Sequence, residues 1–474
     1  MRPRLLLWLA VGAFAAGFGA LAVLQHRAFW TGRFDVGNLV QAVWSTAHGD
    51  VLEMTGLRGD QISRLGAHAD VVLVLLAPLW WIWPDASSLL ALQTLAVALG
   101  AVPVFLLARK HIGSEWAGLG FALAFLLYPA TQWLVLDDFH PVALATPLLL
   151  AAIWFLDEHR LLPFALCAGL ACTTKEQVGL TVGALGIWYA VSHRRVRTGL
   201  AIAAAGTAAA VVAVAVVVPH FAPGGGSPFA DRYAAVGSSP AGILETAVTD
   251  PGAIVAEATE QRDGEYLLDL LWPLLGLPLL APLLALAAVP DLALNLLSST
   301  RTQTSIHFHY TAVTIAPLVM SAVLGAARLR RWRPALEGVT PRILVAGCLA
   351  AGVVLGPLPV WRYVPLGSDL ATREHVVGAH ARTLARAVAL VPPGEPVSAT
   401  NTLGAHLSER PRVFSFPVLR EARWVVVDAQ RPSTFDRAVD PEGFRRALAR
   451  LRRDPRFSVV FAEDGVLVLR RRRS

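Results

Sequence analysis

Residues 5–24 read LLLWLAVGAFAAGFGALAVL and follow Met1-Arg2-Pro3-Arg4. A helix needs ~20 apolar residues to cross a bilayer, whereas the apolar core of a cleavable signal is only ~7–15 long. The run is therefore read as a first membrane span, with Arg2 and Arg4 holding its start in the cytoplasm. The rest of the chain repeats the pattern. Its 474 residues are 55% hydrophobic and 16% charged, against ~25% charged in ordinary globular chains. The net charge of +7 does not indicate nucleic acid, because the basic residues cluster in short loops between apolar runs. Cys167, Cys172 and Cys348 all lie within such runs, which leaves no basis for a disulfide or a cysteine-rich metal site.

Further apolar runs cover 87–108, 116–136, 142–156, 161–174, 178–190, 200–218, 308–327 and 343–361. The stretch 266–299 is broken by Pro273, Pro278, Pro282 and Pro290 and reads as a broken helix pair or a re-entrant element. With an even number of crossings there, the basic clusters at Arg109-Lys110-His111, His193-Arg194-Arg195 and Arg328 to Arg333 share the cytoplasmic side. About nine to eleven helices are expected. A long first outer loop, 25–86, contains an apolar stretch at 68–83 ending in Trp80-Trp81-Ile82-Trp83, the composition of an interfacial helix. A second outer loop, 219–265, carries Gly224-Gly225-Gly226.

From residue 365 the pattern becomes that of a soluble α/β unit. A helix is expected over 371–390 and another over 441–453. Strands are expected at 396–400, 412–416 and 423–428, then a hairpin, 456–462 and 466–471, around Asp464-Gly465. The tail Arg470 to Arg473 reads as a solvated charge run. The expected fold is an all-α polytopic membrane domain, 1–364, with a small C-terminal extracytoplasmic α/β domain, 365–474.

This topology gathers the unusual polar residues at one membrane edge, where ionisable groups mark a site. Asp35 opens a segment whose apolar residues, Phe34, Leu39, Val40, Val43 and Trp44, recur at helical spacing. It is either a first-turn acid of an amphipathic interfacial helix or a general base for an acceptor hydroxyl. In Asp137-Asp138-Phe139-His140-Pro141, Asp138 and His140 either cap the next helix or bind sugar hydroxyls or a divalent ion. Lys175 either pairs with Glu176 or holds a lipid phosphate. His309 and Tyr310 open a later span at the same edge, and Arg58, Arg64 and His68 in the first loop are further phosphate candidates. No phosphate-binding P-loop, dinucleotide glycine pattern or serine-hydrolase elbow is present.

Phe34-Asp35-Val36-Gly37, Gln41-Ala42-Val43-Trp44, Leu92-Gln93, Asp138-Phe139-His140-Pro141, Thr174-Lys175-Glu176 and His309-Tyr310 together resemble a family of bacterial polytopic membrane proteins defined by a domain of unknown function. That family in turn resembles the GT-C glycosyltransferases, which include the protein mannosyltransferases and the aminoarabinose transferase of lipid A. The resemblance implies Asp35 as catalytic base, Asp138 and His140 in a second acidic motif, and Lys175 near a lipid phosphate. It departs at Gly66-Ala67-His68-Ala69-Asp70, where better-known members carry a His-Pro-Pro element. The implied activity is transfer of a sugar from a polyprenyl-phosphate donor to an acceptor at the outer face. The expected partners are the lipid bilayer, that donor and an acceptor the sequence does not name. No cofactor is expected, a divalent metal being the one open option. The implied location is the plasma membrane, multi-pass, with the N-terminus cytoplasmic. A transporter or flippase and a non-catalytic envelope scaffold are the alternatives.

Overall fold

The computed structural model describes residues 2–472 apart from 226, 337, 372 and 438–440. Gly226 and Arg473, read above within a loop and a tail, lie outside the described residues. Most of the chain is helical. Among the described residues, Pro3–Arg27, Ala86–Ile112, Val196–Phe221 and His309–Trp332 are long and apolar enough to cross a membrane. Glu115–Leu127 and Pro129–Leu136 pass the same test only as a pair bent by 48°, a broken span or a re-entrant element. Pro129 has no N–H for the helical ladder, and the residue before a proline is pushed to extended backbone, as Tyr128 is at ψ 122°. Shorter apolar helices include Pro141–Asp157, Leu161–Cys172, Val178–Ser192, Pro282–Leu296 and Thr340–Leu355. The proline-rich stretch is chopped as its sequence suggests, into Gln261–Leu271, short turns at Leu277–Leu280 and Pro282–Ala285, and Val289–Leu296.

Small residues let helices approach where apolar burial drives nothing in lipid. Val178–Ser192 and Val196–Val212 pack along glycines facing one another. A Cβ at Gly206 would stand 2.5 Å from the backbone N of Gly183 and 2.6 Å from the carbonyl O of Gly179.

The first loop departs from the sequence reading in two ways. It contains a strand pair, β1 (Glu53–Thr55) and β2 (Gln61–Ser63), for which no alternating pattern is long enough to be noticed. The helix Asn38–Ala47, expected to be amphipathic, is buried on nearly all sides, including its polar Asn38, Gln41 and Ser45. The C-terminal region supplies its second cover: the Gln41 side-chain amide donates to the carbonyls of Arg410 and Pro411, each at 3.0 Å.

That C-terminal region is a five-stranded sheet of β3 (Val397–Ala399), β4 (Val413–Ser415), β5 (Trp424–Asp428), β6 (Phe457–Glu463) and β7 (Val466–Arg471), in the order β4-β3-β5-β7-β6. β3 runs parallel to β4 and β5; β7 runs antiparallel to β5 and β6. The Asp464-Gly465 turn joins the hairpin with φ of +49° and +74°, the paired positive values such a two-residue turn requires. The preceding helix begins at Ala379, later than its sequence suggested, because Gly378 is extended and His375 turns back so that its Nδ1 meets the Leu21 carbonyl at 3.1 Å. His380 then pins this helix to the sheet, with Nε2 2.8 Å from Asp428 and Nδ1 2.6 Å from Asp464.

Gly206→Leu is expected to force the two glycine-lined helices apart and destabilise the protein by about 1–3 kcal/mol or more. Thermal unfolding in detergent checks this, and Ala203→Gly in the same contact should leave the helix pairing intact.

Candidate active site

Arg33–Gly37 forms one turn of π-helix, a rare widening of the ladder often found at functional sites. The turn is clamped from both sides. The buried Arg33 guanidinium donates to the Ser415 hydroxyl at 2.7 Å and to the Thr55 carbonyl at 2.5 Å. Burial pulls its pKa down to about 10, so it stays charged at neutral pH. The Phe34 N–H donates to the Asn401 side-chain carbonyl at 3.0 Å, and the Phe34 ring stacks on Phe435. The Gly32 N–H donates to Asp138 across 3.4 Å. Asp35 is an acid of this first turn, as one of its readings had it; no side chain caps the turn, and the Asp35 carboxylate projects toward His140.

The second wall comes from the end of the bent helix pair. Gln93 organises it: the His140 N–H donates to the Gln93 carbonyl at 2.8 Å, and the Gln93 amide donates to the Asp138 carbonyl at 2.7 Å. The His140 Nδ1 is 2.7 Å from the Asp137 backbone carbonyl. A carbonyl can only accept, so Nδ1 carries the proton and Nε2 faces Asp35, 3.7 Å from its Oδ1. The Asp137 carboxylate receives both the backbone N–H of His309 at 2.6 Å and its Nδ1 at 2.9 Å. The rings of His140 and His309 stack 3.6 Å apart. Burial and then the Asp35 and Asp137 charges drive Asp138 well above the usual carboxylate range.

Cations line the opposite wall. Lys175 does not pair with Glu176, as the simplest sequence reading had it. Glu176 is taken by His68, whose Nδ1 is 2.9 Å away, and by the Ala69 N–H at 3.2 Å. A short loop forces the neighbouring side chains to diverge, and Lys175 turns to lie over the Tyr310 ring, 5.2 Å from its centre. Arg232 donates to the Tyr310 hydroxyl at 3.4 Å and sits over Phe229, which also stacks on His68. Among the described residues neither Lys175 nor Arg232 forms an ion pair. Arg64 does, with Asp70 at 2.8 Å.

These walls border a half-open cavity of about 670 Å³. Asp35, Arg58, Arg64, His68, His140, Lys175, His309 and Tyr310 all line it. Asp138 and Glu176 are not among the lining residues; they hold Gly32 and His68 from behind. Arg232, Asn401, Gln93 and Arg33 escaped the sequence reading of the site. Gln93 sat in a recognisable motif, Leu92-Gln93, whereas Arg232 lies in the 219–265 stretch with no pattern to distinguish it.

Fold and site together define a polytopic membrane protein with a half-open cavity carrying acidic and basic side chains on facing walls, and a small C-terminal sheet. The chain belongs to the DUF2079 family of predicted membrane proteins, whose pattern matches residues 25–468. No curated protein matches it in sequence. Its fold is similar to that of ArnT from Cupriavidus metallidurans bound to undecaprenyl phosphate, at 14% identity, a TM-score of 0.53 and 97% coverage of each chain. The apo form of ArnT gives 15% identity and a TM-score of 0.50, covering 97% of this chain and 98% of that one. This agrees with the resemblance to GT-C proteins at the level of fold.

Glu176 generates a pH prediction. Burial raises its pKa, but His68 and then Lys175 outweigh this and hold it at about 2, against an ordinary 4.5. A carboxylate depressed in the folded state stabilises fully above its unfolded value, and that contribution disappears as pH falls from there toward 2. His68→Ala should therefore weaken the protein by about 1–3 kcal/mol at pH 7. It should also move the onset of acid unfolding to higher pH, as read by tryptophan fluorescence in detergent.

Proposed function

We propose that this protein is a membrane glycosyltransferase taking a sugar from a polyprenyl-phosphate donor. The observation that carries the proposal is the polarity of this cavity: a carboxylate with an imidazole on one wall, and on the other a phenol with cations that form no ion pair among the described residues. A phosphate sits naturally on Lys175, Arg232 and the Tyr310 hydroxyl, and a sugar attached to it would reach toward Asp35. The ArnT likeness, with its bound undecaprenyl phosphate, supports a lipid-phosphate donor.

In this reaction Asp35 takes the proton of an acceptor hydroxyl as its oxygen attacks the anomeric carbon from the face opposite the phosphate. The bond from that carbon to the phosphate oxygen breaks, configuration inverts, and polyprenyl phosphate leaves with its charge held by Lys175 and Arg232. His140 and Gln93 fix the wall that Asp35 faces. Residues 1–364 are proposed as the membrane domain and 365–474 as a domain on the outer face of the plasma membrane, where donor and acceptor meet. The N-terminus would then be cytoplasmic.

The test compares envelope glycans and polyprenyl-phosphate sugars in cells lacking the protein, complemented with wild type, Asp35→Asn or Lys175→Gln. Wild type should restore a missing glycan and clear a backed-up donor. Asp35→Asn should lower transfer by about 10²–10⁴-fold, the usual contribution of a positioned base. Lys175→Gln should act on donor binding, with transfer recovering when donor is overproduced. Full rescue by Asp35→Asn, or an unchanged glycan in the deletion, would overturn the proposal.

A further inference from the structure

The wall holding His140 has chemistry that the transfer reading does not use. Asp137, His140 and His309 each offer a ligand atom within 4.8 Å of the other two. Bonds from a divalent ion to nitrogen or carboxylate oxygen are ~2.0–2.2 Å, so sharing one ion would require the three groups to close in and the stacked His140 and His309 rings to turn out of their parallel arrangement.

Three details favour an ion over a simple hydrogen-bond cluster. His140 gives its Nδ1 proton to the Asp137 backbone carbonyl, which leaves the Nε2 lone pair free. That is the outer bond by which a metal-binding histidine is oriented. Nε2 then lies 3.7 Å from Asp35 Oδ1, longer than a hydrogen bond and of the order expected between two ligands of one cation. Finally, Asp35 and Asp137 both face this spot, and among the described residues neither pairs with a lysine or arginine; their ion-pair partners are His140 and His309. A divalent ion would supply the missing positive charge.

We infer that Asp137, His140 and His309 bind a divalent first-row transition metal at the cavity wall, with Asp35 at the edge of its coordination shell. Two imidazoles beside a carboxylate select Zn²⁺ over Mg²⁺ or Ca²⁺, which prefer oxygen alone. The ion would face the cavity, so its remaining positions are open to water or to an oxygen of a bound molecule. This inference does not depend on the transfer reading.

The test uses the full-length protein in detergent, stripped with chelator, reloaded with Zn²⁺ and freed of excess by gel filtration. Wild type should retain about one Zn²⁺ per chain, and Mg²⁺ should not displace it. His140→Ala and His309→Ala should each weaken binding by ~100-fold or more, since losing an outer partner alone typically costs 10–100-fold. His380→Ala, in the C-terminal sheet region, should bind as wild type does. Where an alanine variant unfolds, the folded His140→Gln and His309→Gln proteins are read by Co²⁺ absorption, whose ligand-field bands should be lost. Folded wild type that retains no Zn²⁺, or histidine variants that hold it as tightly, would overturn the inference. Metal-free protein that still transfers sugar would leave the proposed function standing, and Zn²⁺ held by a protein without transfer would do the reverse.

Discussion

The buried guanidinium of Arg33 is the constraint on which the rest of the site depends. A charge taken out of water is tolerated only when fixed dipoles replace its hydration. Here they come from two parts of the chain far apart in sequence, the Thr55 carbonyl in the first loop and the Ser415 hydroxyl in the C-terminal sheet. Both bonds brace the π-helical turn that carries Asp35. Asn401 completes the clamp by accepting the Phe34 N–H, and is itself held by Asp436. The C-terminal sheet thus helps to shape the cavity although none of its residues lines it.

The helical part supplies the opposing requirement, a rigid frame in which polar groups survive. Glycine-mediated approach fixes one helix pair, and the break at Pro129 redirects the chain so that Asp137 and Asp138 arrive beside the Asp35 turn. Gln93, fully buried in a long apolar helix, is tolerable because both ends of its amide are satisfied by the Asp138 to His140 segment. Across the cavity, diverting Glu176 to His68 leaves Lys175, among the described residues, with no carboxylate at ion-pair distance, only the longer-range pull of Glu176 and Asp291, and an anionic ligand could take that place.

Much of the scaffold was legible in the sequence because apolar length and β alternation are local signals. The strands of the C-terminal sheet and the Asp464-Gly465 turn fall within a residue or so of their expected places. The proline-rich stretch, read as a broken pair or a re-entrant element, is broken into short helical pieces. What depends on tertiary partners was less legible. Asn38–Ala47 reads as half-exposed by its own periodicity, and only the docking of Arg410 and Pro411 buries its polar side. Ion-pair choice is likewise invisible locally: Lys175 and Glu176 are neighbours in sequence, yet His68 competes better for the carboxylate. Arg232 shows the same limit, since only the fold brings its loop to Tyr310.

The central claim is that the cationic wall holds a lipid phosphate. Native mass spectrometry of the purified protein with undecaprenyl phosphate measures this without any knowledge of sugar or acceptor. Wild type should carry one lipid phosphate that survives detergent removal, and the Lys175→Gln, Arg232→Gln double variant should lose it while remaining folded. Equal retention by the double variant, or preference for a neutral polyprenol over its phosphate, would contradict the account.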